Sequence, residues 1–376
     1  MNVMNIYHII SNLGNGGAES MLYRLISNSP INIRHHVISL SGEGKYFKLL
    51  EKIGVKVTCL NFKKKRLNIY QIIKLYKILN KEKEIILNTW MSNSNFIVTF
   101  LNFFLKKKLI WNIRNSTHPK KQNFLKIIIF KINRYFSNFT DKIIYNSFTG
   151  KQFYENTGYL KKNSIVIDNG FDSKIYFLSK ELRNNFRNKY FFEKKDFVIG
   201  MIARYDPQKN YNLVIDVINK LKDYQEAKRI KFILAGPNII NNNIDLIQKF
   251  QSFPNSNVIL IGEVTDTNLF YNGVDITILP SSYGEGFPNV IGESMLSGTP
   301  CIANKIGDTE RIIDKYGWII NDINSNKLIN KILNIYNNFF LKEGWSELGL
   351  NCNEFISKKY KIKFISEKYF NTICDD

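Results

Sequence analysis

Short β-rich runs alternate with longer amphipathic stretches along nearly the whole sequence. This alternation is typical of a parallel sheet whose two faces are covered by helices. The series of β-rich runs starts again at Phe197, which predicts a second sheet and hence an α/β fold with two doubly wound domains. Strands are predicted at 5–10, 36–40, 55–60, 85–89, 109–113, 142–145 and 165–167 in the first half, and at 197–203, 231–235, 258–261, 275–279, 301–303 and 318–320 in the second.

The length of 376 residues agrees with two domains, since a domain takes about 150 residues on average. The segment Phe171–Asp196 is polar and charged without a strand pattern, so it is interpreted as the linker. The predicted domains are residues 1–178 and 179–356. Residues 357–376 have apolar side chains at helical spacing and are predicted to form a helix that packs back on the first domain.

Hydrophobic residues make up 44% of the chain and aromatic residues 14%, which excludes a disordered protein. The four cysteines are scattered, without a CxxC pair or metal-ligand spacing, and we expect them to be reduced. No secretory signal is recognised near the amino end. The longest apolar stretch, Phe96–Leu105, is about half of the roughly 20 residues that a spanning helix needs. The sequence therefore predicts a cytoplasmic protein.

The formal net charge of +21 is distributed unevenly. Residues 1–180 contain 29 Lys and Arg against 9 Asp and Glu, whereas residues 181–376 contain 24 against 23. The basic residues cluster at 63–66, 106–108 and 120–121, between aromatic and aliphatic stretches. A basic amphipathic surface of this kind favours binding to an anionic membrane. Solvated helix faces are the simpler alternative, and nucleic acid is disfavoured because no nucleic-acid-binding motif is present.

The segment from Leu279 to Ala303, LPSSYGEGFPNVIGESMLSGTPCIA, predicts a strand, a glycine-containing loop and a helix that begins near Pro288. The start of such a helix presents backbone N–H groups and a partial positive charge to an anion. Glu285 precedes the helix and Glu293 lies within it, at the edge of the sheet where open α/β sheets bind ligands. A solvated pair of surface carboxylates is the alternative.

A second candidate segment, GMIARYDPQKN, covers residues 200–210. Its strand is followed by Arg204 and, after a Pro-containing loop, by Lys209. Two cations at the carboxyl end of a strand can hold a diphosphate, Arg as a fork and Lys as a point charge. The alternative is an Arg204–Asp206 surface pair with Lys209 in solvent.

Together these segments resemble family 4 of the retaining glycosyltransferases, of the kind that acts in surface polysaccharide or glycolipid synthesis. The resemblance rests on Arg204 with Lys209, on Glu285 and Glu293 eight residues apart, and on Ile306-Gly307-Asp308. It extends in order to NTWMSNSN (88–95), WNIRNS (111–116), YNSFTGKQFYENTGY (145–159) and IDNGFDSKIYF (167–177). The family has the GT-B fold, which implies two Rossmann-like domains that face a central cleft.

The resemblance implies roles in the second, nucleotide-sugar-binding domain. Arg204 and Lys209 would neutralise the donor diphosphate, Glu293 would bind the ribose hydroxyls, and Glu285 would contact the transferred sugar. Backbone N–H groups in the segment Phe287-Pro288-Asn289-Val290 would help to hold phosphate or sugar. The nucleobase would lie near Gly236 and the loop 262–264, although neither leaves a side-chain signature.

In the first, acceptor-side domain, Gly14, Gly16 and Gly17 follow the first strand, and the family uses such glycines to let the backbone approach donor and acceptor. A simple tight turn is the alternative. Many relatives carry a His that faces the reaction centre after the fourth or fifth strand. This chain departs from that pattern, since it has Arg114 and Asn115 there, with His118 three residues further on. These three are the acceptor-side candidates.

The predicted activity is transfer of a hexosyl or N-acetylhexosaminyl group from a nucleotide sugar, with a UDP-sugar favoured over a GDP-sugar, to a glycan or a lipid-linked glycan. Retention of configuration is implied by the family, and the absence of an Asp-x-Asp motif agrees with an enzyme that needs no metal or other cofactor. We expect peripheral attachment to the inner face of the membrane and no nucleic-acid partner. The alternatives are a GT-B nucleotide-sugar 2-epimerase and a non-catalytic basic protein that binds membrane or nucleic acid.

Overall fold

The structure is a computed structural model that describes residues 3–62, 69–116, 124–250, 257–341 and 344–375. The chain divides into two compact units. The first comprises Met1–Gly170 and Ile362–Asp376, and the second comprises Phe171–Lys361.

The first unit is built on a seven-stranded parallel sheet in the order β3-β2-β1-β4-β5-β6-β7. Its strands are β1 Met4–Ile10, β2 Ile33–Ser39, β3 Lys56–Cys59, β4 Ile86–Trp90, β5 Lys108–Ile113, β6 Lys142–Tyr145 and β7 Ser164–Val166. Its helices up to Gly170 are α1 Gly17–Ser27, α2 Lys45–Lys52, α3 Ile69–Asn80, α4 Ser92–Leu105, α5 Phe124–Phe136 and α6 Phe148–Asn156, with a short 3-10 helix at Ser137–Phe139.

Both faces of this sheet are buried, as expected for parallel strands covered by helices on both sides. Along β1, Ile6 and Ile10 pack into one hydrophobic core, whereas Tyr7 and Ile9 pack into the core on the opposite face. This division follows from the period of two with which side chains alternate along a strand. It explains why the strands were recognisable as nearly continuous apolar runs.

The second unit contains a six-stranded parallel sheet in the order β10-β9-β8-β11-β12-β13. Its strands are β8 Phe197–Ile202, β9 Ile230–Ala235, β10 Val258–Leu260, β11 Ile276–Leu279, β12 Cys301–Asn304 and β13 Trp318–Ile320. Its helices are α7 Lys180–Lys189, α8 Tyr211–Leu221, α9 Ile244–Ile247, α10 Thr267–Gly273, α11 Asn289–Leu296, α12 Thr309–Ile313, α13 Ser325–Ile335 and α14 Trp345–Lys359, with 3-10 helices at Pro207–Lys209 and Gln225–Lys228 and a π-helix at Tyr336–Phe340.

The prediction of two doubly wound α/β domains is confirmed, and a strand lies at every predicted position. The largest difference is at β2, which begins at Ile33 rather than at residue 36. Arg34 is exposed and His35 is half-buried, so the first residues of β2 have the polar composition of a loop. Pairing of Ile33 with Met4 nevertheless extends the ladder by three residues.

The segment Phe171–Asp196, interpreted as a linker, belongs to the second unit, so that interpretation was wrong. Phe171 is buried in the core of this unit. In α7, Arg183 and Arg187 form ion pairs with Asp275, which has a fully buried carboxylate; the Arg187 Nη1–Asp275 Oδ2 distance is 3.1 Å. The unit boundaries therefore lie after Gly170 and after Lys361, rather than at 178 and 356.

The last helix, α15 (Ile362–Cys374), completes the first unit. Its residues Ile365, Tyr369 and Phe370 join the core that contains Ile6 and Ile10 of β1. Tyr369 also ends a buried chain of polar groups: its hydroxyl accepts a hydrogen bond from Asn88 Nδ2 (2.9 Å) and donates one to Asn112 Oδ1 (2.8 Å). The helix is thus attached to β4 and β5 by directional bonds as well as by apolar contacts.

Within the described ranges, no helix is both long enough and apolar enough to span a bilayer.

The buried hydroxyl of Tyr369 gives a direct test of this attachment. In Tyr369→Phe, Asn88 and Asn112 each lose a partner in a site without solvent, and an unsatisfied buried group costs about 1–3 kcal/mol. We expect faster hydrogen–deuterium exchange of the amides in β1, β4 and β5. The same substitution at the exposed Tyr135 of this unit should leave that exchange unchanged. Equal exchange in both variants would contradict the assigned role of Tyr369.

Candidate functional site

An ion pair between Lys209 and Glu285 lies at the carboxyl ends of β8 and β11, which are neighbours in the second sheet. The Lys209 Nζ–Glu285 Oε1 distance is 2.5 Å, and the side chains are only 17% and 9% exposed. The Ser281 hydroxyl donates to the same Glu285 oxygen at 2.7 Å. A carboxylate removed from solvent needs such partners, because desolvation otherwise disfavours its charged form.

The two loops that carry this pair are joined by their backbones. The Ser282 N–H donates to the Gln208 carbonyl (2.9 Å), and Asn210 Nδ2 donates to the Pro280 carbonyl (3.3 Å). Asp206 begins the intervening 3-10 helix by accepting from the Gln208 N–H (2.8 Å). Lys209 is therefore presented to Glu285 by a fixed turn.

Arg204 follows β8 and is exposed to solvent. It forms no ion pair or hydrogen bond with any residue that the structure describes. The alternative of an Arg204–Asp206 pair with a solvated Lys209 was wrong, since Asp206 serves as a cap and Lys209 is paired. The charge of Lys209 is thus balanced by Glu285, whereas Arg204, five residues earlier in the chain, can bind an anion from solution.

The glycine-containing loop before α11 is closely packed against the loop after β12. Gly307 has φ +60°, and a Cβ atom there would lie 2.3 Å from the carbonyl oxygen of Glu285. The Asp308 N–H donates to the Gly286 carbonyl at 2.9 Å. Only glycine suits a left-handed conformation with such close contact. The backbone of Glu285 is therefore fixed from both sides.

Helix α11 begins at Asn289 with Pro288 as its N-cap residue, close to the predicted start. Asn289 and Val290, half-buried, occupy its first positions. The ring of Phe287 is buried against Phe171, with centroids 6.2 Å apart, so this side chain belongs to the hydrophobic core. Any contact of Phe287 with a ligand would therefore come from its backbone.

Glu293, in the second turn of α11, is buried rather than solvated. Its Oε2 accepts a hydrogen bond from the Tyr271 hydroxyl at 3.4 Å. Burial, and after it the Glu293 carboxylate, raise the pKa of Tyr271 well above its usual value, so this hydroxyl remains a donor. The structure thus places Glu285 and Glu293 in two separate sets of contacts within one unit.

The loops after β8, β9 and β10 also meet, in the region expected to hold a nucleobase. Gly236 has φ +142°, and a Cβ atom there would lie 1.8 Å from the Ala203 carbonyl oxygen. The Gly236 N–H donates to the Gly262 carbonyl (2.7 Å), while the Tyr211 hydroxyl donates to the Ala203 carbonyl (2.8 Å). This packing leaves glycine as the residue that fits at 236.

In the first unit, Gly16 is the N-cap of α1 and Gly17 is its first residue. A Cβ atom at Gly16 would lie 2.3 Å from Glu19 Oε2. The carboxylate of Glu19 therefore already occupies the start of α1, where a helix attracts anions.

Arg114 and Asn115 follow β5, and both are held by neighbouring side chains. Arg114 Nη1 donates to Asn169 Oδ1 (2.8 Å), and its guanidinium lies 4.7 Å from the ring centroid of Trp90. Burial lowers the pKa of Arg114 to about 10. Asn115 Oδ1 accepts from the Tyr154 hydroxyl at 2.8 Å.

The Arg114 Nε and Nη2 groups have no hydrogen-bond partner among the described residues. His118, the third acceptor-side candidate, lies outside the described residues. In the described part of the chain, no group of three or more His, Cys, Asp or Glu side chains is placed to hold a metal ion.

Sequence reasoning missed Ser281, Tyr271 and Trp90, which contact Glu285, Glu293 and Arg114 respectively. Ser281 and Trp90 each lie at the carboxyl end of a predicted strand, which was the available signal. Tyr271 lies in α10, 22 positions before Glu293, and no spacing rule connects the two.

Residues 196–338 match the family described as "Glycosyl transferases group 1". The chain is 24% identical over 303 residues to the capsular polysaccharide biosynthesis glycosyltransferase CapM of Staphylococcus aureus, which covers 79% of this chain and 78% of the relative. It is 25% identical over 280 residues to the UDP-Gal:alpha-D-GlcNAc-diphosphoundecaprenol alpha-1,3-galactosyltransferase of Escherichia coli, which covers 70% of this chain and 71% of the relative.

The fold is similar to the crystal structure of Anabaena HepE in complex with UDP-glucose. The TM-score is 0.83 at 19% identity, and the match covers 98% of this chain and 99% of that one. HepE supports the fold over the whole length, whereas the family match covers the unit that contains Lys209, Glu285 and Glu293. The chain thus has the GT-B fold, and residues 196–338 of its second unit are similar to the group 1 glycosyl transferases.

Proposed function

We propose that this chain is a glycosyltransferase that moves a hexosyl or N-acetylhexosaminyl group from a nucleotide-diphosphate donor to a glycan or a lipid-linked glycan. The observation that carries the proposal is the set of charged residues at the carboxyl ends of β8 and β11, the two central strands of the second sheet. It consists of the largely buried Lys209–Glu285 ion pair and the exposed Arg204, which follows β8. A UDP-sugar is the favoured donor and a GDP-sugar the second choice, because the similar protein HepE binds UDP-glucose.

Cleavage of a sugar–phosphate bond places negative charge on the departing diphosphate and positive character on the sugar. Fixed cations and N–H groups near the phosphate stabilise that charge separation and supply much of the catalysis. Arg204 is suited to bind the diphosphate as a fork, and the first N–H groups of α11 supply further donors. These groups provide the positive charge that a divalent ion would otherwise bring, so the proposed transfer needs no metal.

The two members of the Lys209–Glu285 pair are assigned to opposite sides of the bond that breaks, Lys209 to the phosphate and Glu285 to the sugar. Lys209 can share its ammonium protons between Glu285 and a phosphate oxygen, while Glu285 accepts from hydroxyls of the transferred sugar. The Ser281 hydroxyl keeps the carboxylate in place as this sharing changes. In this arrangement the sugar is held next to the cations that stabilise its leaving group.

Glu293 is assigned to the ribose of the donor. Its carboxylate is held by the Tyr271 hydroxyl and is largely withdrawn from water. A buried carboxylate binds vicinal hydroxyls more strongly than an exposed one, since the local dielectric constant is lower.

The acceptor side is assigned to the first unit, with Arg114 and Asn115 at the edge of its sheet. Support for a lipid-linked acceptor comes from the E. coli relative, whose name specifies a diphosphoundecaprenol-linked sugar. All four cysteines are unpaired, which agrees with a reducing compartment and hence with the proposed place at the inner face of the membrane. Retention of configuration is part of the proposal on the family resemblance.

Screening of nucleotide sugars by thermal shift tests the donor assignment, and the donor found is then used with glycan acceptors in the presence of excess EDTA. We expect stabilisation by one UDP-sugar and a product whose anomeric configuration, measured by NMR, matches that of the donor. A 2-epimerase would instead convert the donor without any acceptor. A non-catalytic protein would show neither conversion nor transfer.

Removal of the exposed cation is the cleanest test of catalysis. Arg204→Ala should lower kcat on the order of 100-fold, as expected for the loss of a transition-state charge contact. Because Arg204 is exposed and forms no hydrogen bond or ion pair with a described residue, the free energy of unfolding should change by less than about 0.5 kcal/mol. The control is Lys194→Ala, which removes an exposed cation elsewhere in the same unit. Equal kcat in both variants would refute the role of Arg204.

Neutralisation of Glu293 tests donor binding separately from transfer. Glu293→Gln keeps the size of the side chain but removes the charge that strengthens bonds to the ribose, worth about 1.5–3 kcal/mol. Titration calorimetry with the donor should show affinity at least about 10-fold lower. The matched control, Glu354→Gln, changes an exposed glutamate in α14 and should bind donor normally. Undiminished binding by Glu293→Gln would exclude the ribose assignment.

A further inference from the structure

We propose that one face of the first unit is a docking surface for an anionic lipid bilayer. The surface, named here the aromatic face, is formed by Phe100, Phe103 and Phe104 of α4, by Tyr135 of α5 and by Phe139 of the 3-10 helix that follows α5. These five side chains are between 42% and 67% exposed. The proposal goes beyond the transfer reaction and depends on none of the residues assigned to it.

The aromatic face consists of two sets of neighbouring rings, and the i, i+3 spacing of Phe100 and Phe103 puts both sets on one side of α4. The ring centroids of Phe100 and Phe104 are 6.1 Å apart, those of Phe103 and Phe139 are 4.9 Å apart, and those of Tyr135 and Phe139 are 5.4 Å apart. Helices α4 and α5 pack side by side on the sheet, so both present this face to solvent. Large exposed rings that touch one another form a patch, and a patch indicates a binding surface whereas scattered apolar residues do not.

The stretch of sequence that contains the aromatic face is strongly basic, with Glu84 before it and Asp141 after it as the neighbouring acidic residues. Residues 85–140 contain nine Lys and Arg and no Asp or Glu. Lys106 at the end of α4, and Lys131 and Arg134 in α5, are exposed and form no ion pair within the described part of the chain. In the second unit, by contrast, some exposed lysines pair with nearby carboxylates, as in Lys305–Glu310 and Lys358–Glu354.

This contrast argues against the simpler interpretation that the basic residues are only solvated helix faces. Solvated helices normally mix charges of both signs and keep aromatic side chains inside. The basic clusters at 63–66 and 120–121 lie outside the described residues. In the third cluster, Lys107 donates to the Lys83 carbonyl (2.5 Å) and Lys108 to that of Asp375 (2.6 Å), so Lys106 is the member directed to solvent.

A bilayer fits this surface better than a nucleic acid or a second copy of the chain. The rings of Phe103 and Tyr135 meet Phe139 edge to face, at interplanar angles of 75° and 63°, which uses ring faces that a base would need for stacking. Two copies joined through this face would bring cations of the same sign together. Insertion of rings at the lipid interface, with cations beside anionic headgroups, satisfies both features.

The test is flotation of the full chain with vesicles of phosphatidylcholine alone or with added phosphatidylglycerol. We expect flotation only with the anionic vesicles and its loss at high salt. Phe100→Ser/Phe104→Ser should reduce the partition coefficient at least 10-fold, and Lys131→Glu/Arg134→Glu on the order of 30-fold or more, since each basic residue contributes roughly five-fold. Both variants should bind the nucleotide-sugar donor normally.

The matched controls lie in the second unit. Phe191→Ser removes a 92% exposed aromatic side chain, and Lys194→Glu/Lys195→Glu reverses two exposed cations. These variants should float as the unchanged chain does. Circular dichroism confirms that each variant is folded, and the charge variant tests the face even if the serine variant is unstable.

Three outcomes would overturn the proposal. The first is equal flotation with neutral and anionic vesicles, or no flotation with either. The second is binding of single-stranded nucleic acid that is lost in the same variants while their flotation persists. The third is a dimer in solution that the serine variant converts to a monomer. Failure here together with normal sugar transfer would leave the proposed reaction intact, because that reaction is measured with soluble acceptors.

Discussion

The buried ion pair between Lys209 and Glu285 is the interaction on which the second unit's site depends. A desolvated carboxylate and a desolvated ammonium are costly apart, so the loops after β8 and β11 must remain in contact for both to be satisfied. The same requirement explains the backbone bonds between these loops and the glycine at 307 that packs against Glu285. Arg204, outside the pair, is left as a cation that needs a partner from solution. The Lys209–Glu285 pair is therefore held in place within the protein, whereas Arg204 can bind an anion from solution.

The sequence was sufficient to locate the strands along the chain and to place charged residues at their carboxyl ends. Buried parallel strands are recognisable as apolar runs, and the residues that follow them lie on the ligand-binding side of the sheet. It was insufficient where a tertiary contact overrides composition. The segment before β8 has the composition of a linker, yet Phe171 and Arg187 are buried within the second unit. The contact of Tyr271 with Glu293 joins residues whose proximity no spacing rule predicts.

The two units use charge differently. In the second unit, several cations are paired with carboxylates, both in the core, as at Asp275, and at the surface. In the first, Lys106 directly after α4 and the basic residues of α5 lie in a stretch of sequence, residues 85–140, that contains no Asp or Glu and includes the exposed rings. The first half of the sequence thus carries nearly all of the net positive charge, which an external anionic partner can balance.

Helix α15 has a consequence for biosynthesis. The core of the first unit that contains Ile6 and Ile10 also includes Ile365, Tyr369 and Phe370. The ribosome adds these three residues about 200 positions after β7, the last strand of that sheet. All strands of the second sheet are translated before these residues emerge. The first unit therefore cannot complete its core before the whole second unit has been translated, and the apolar surface that α15 covers lacks this helix until then.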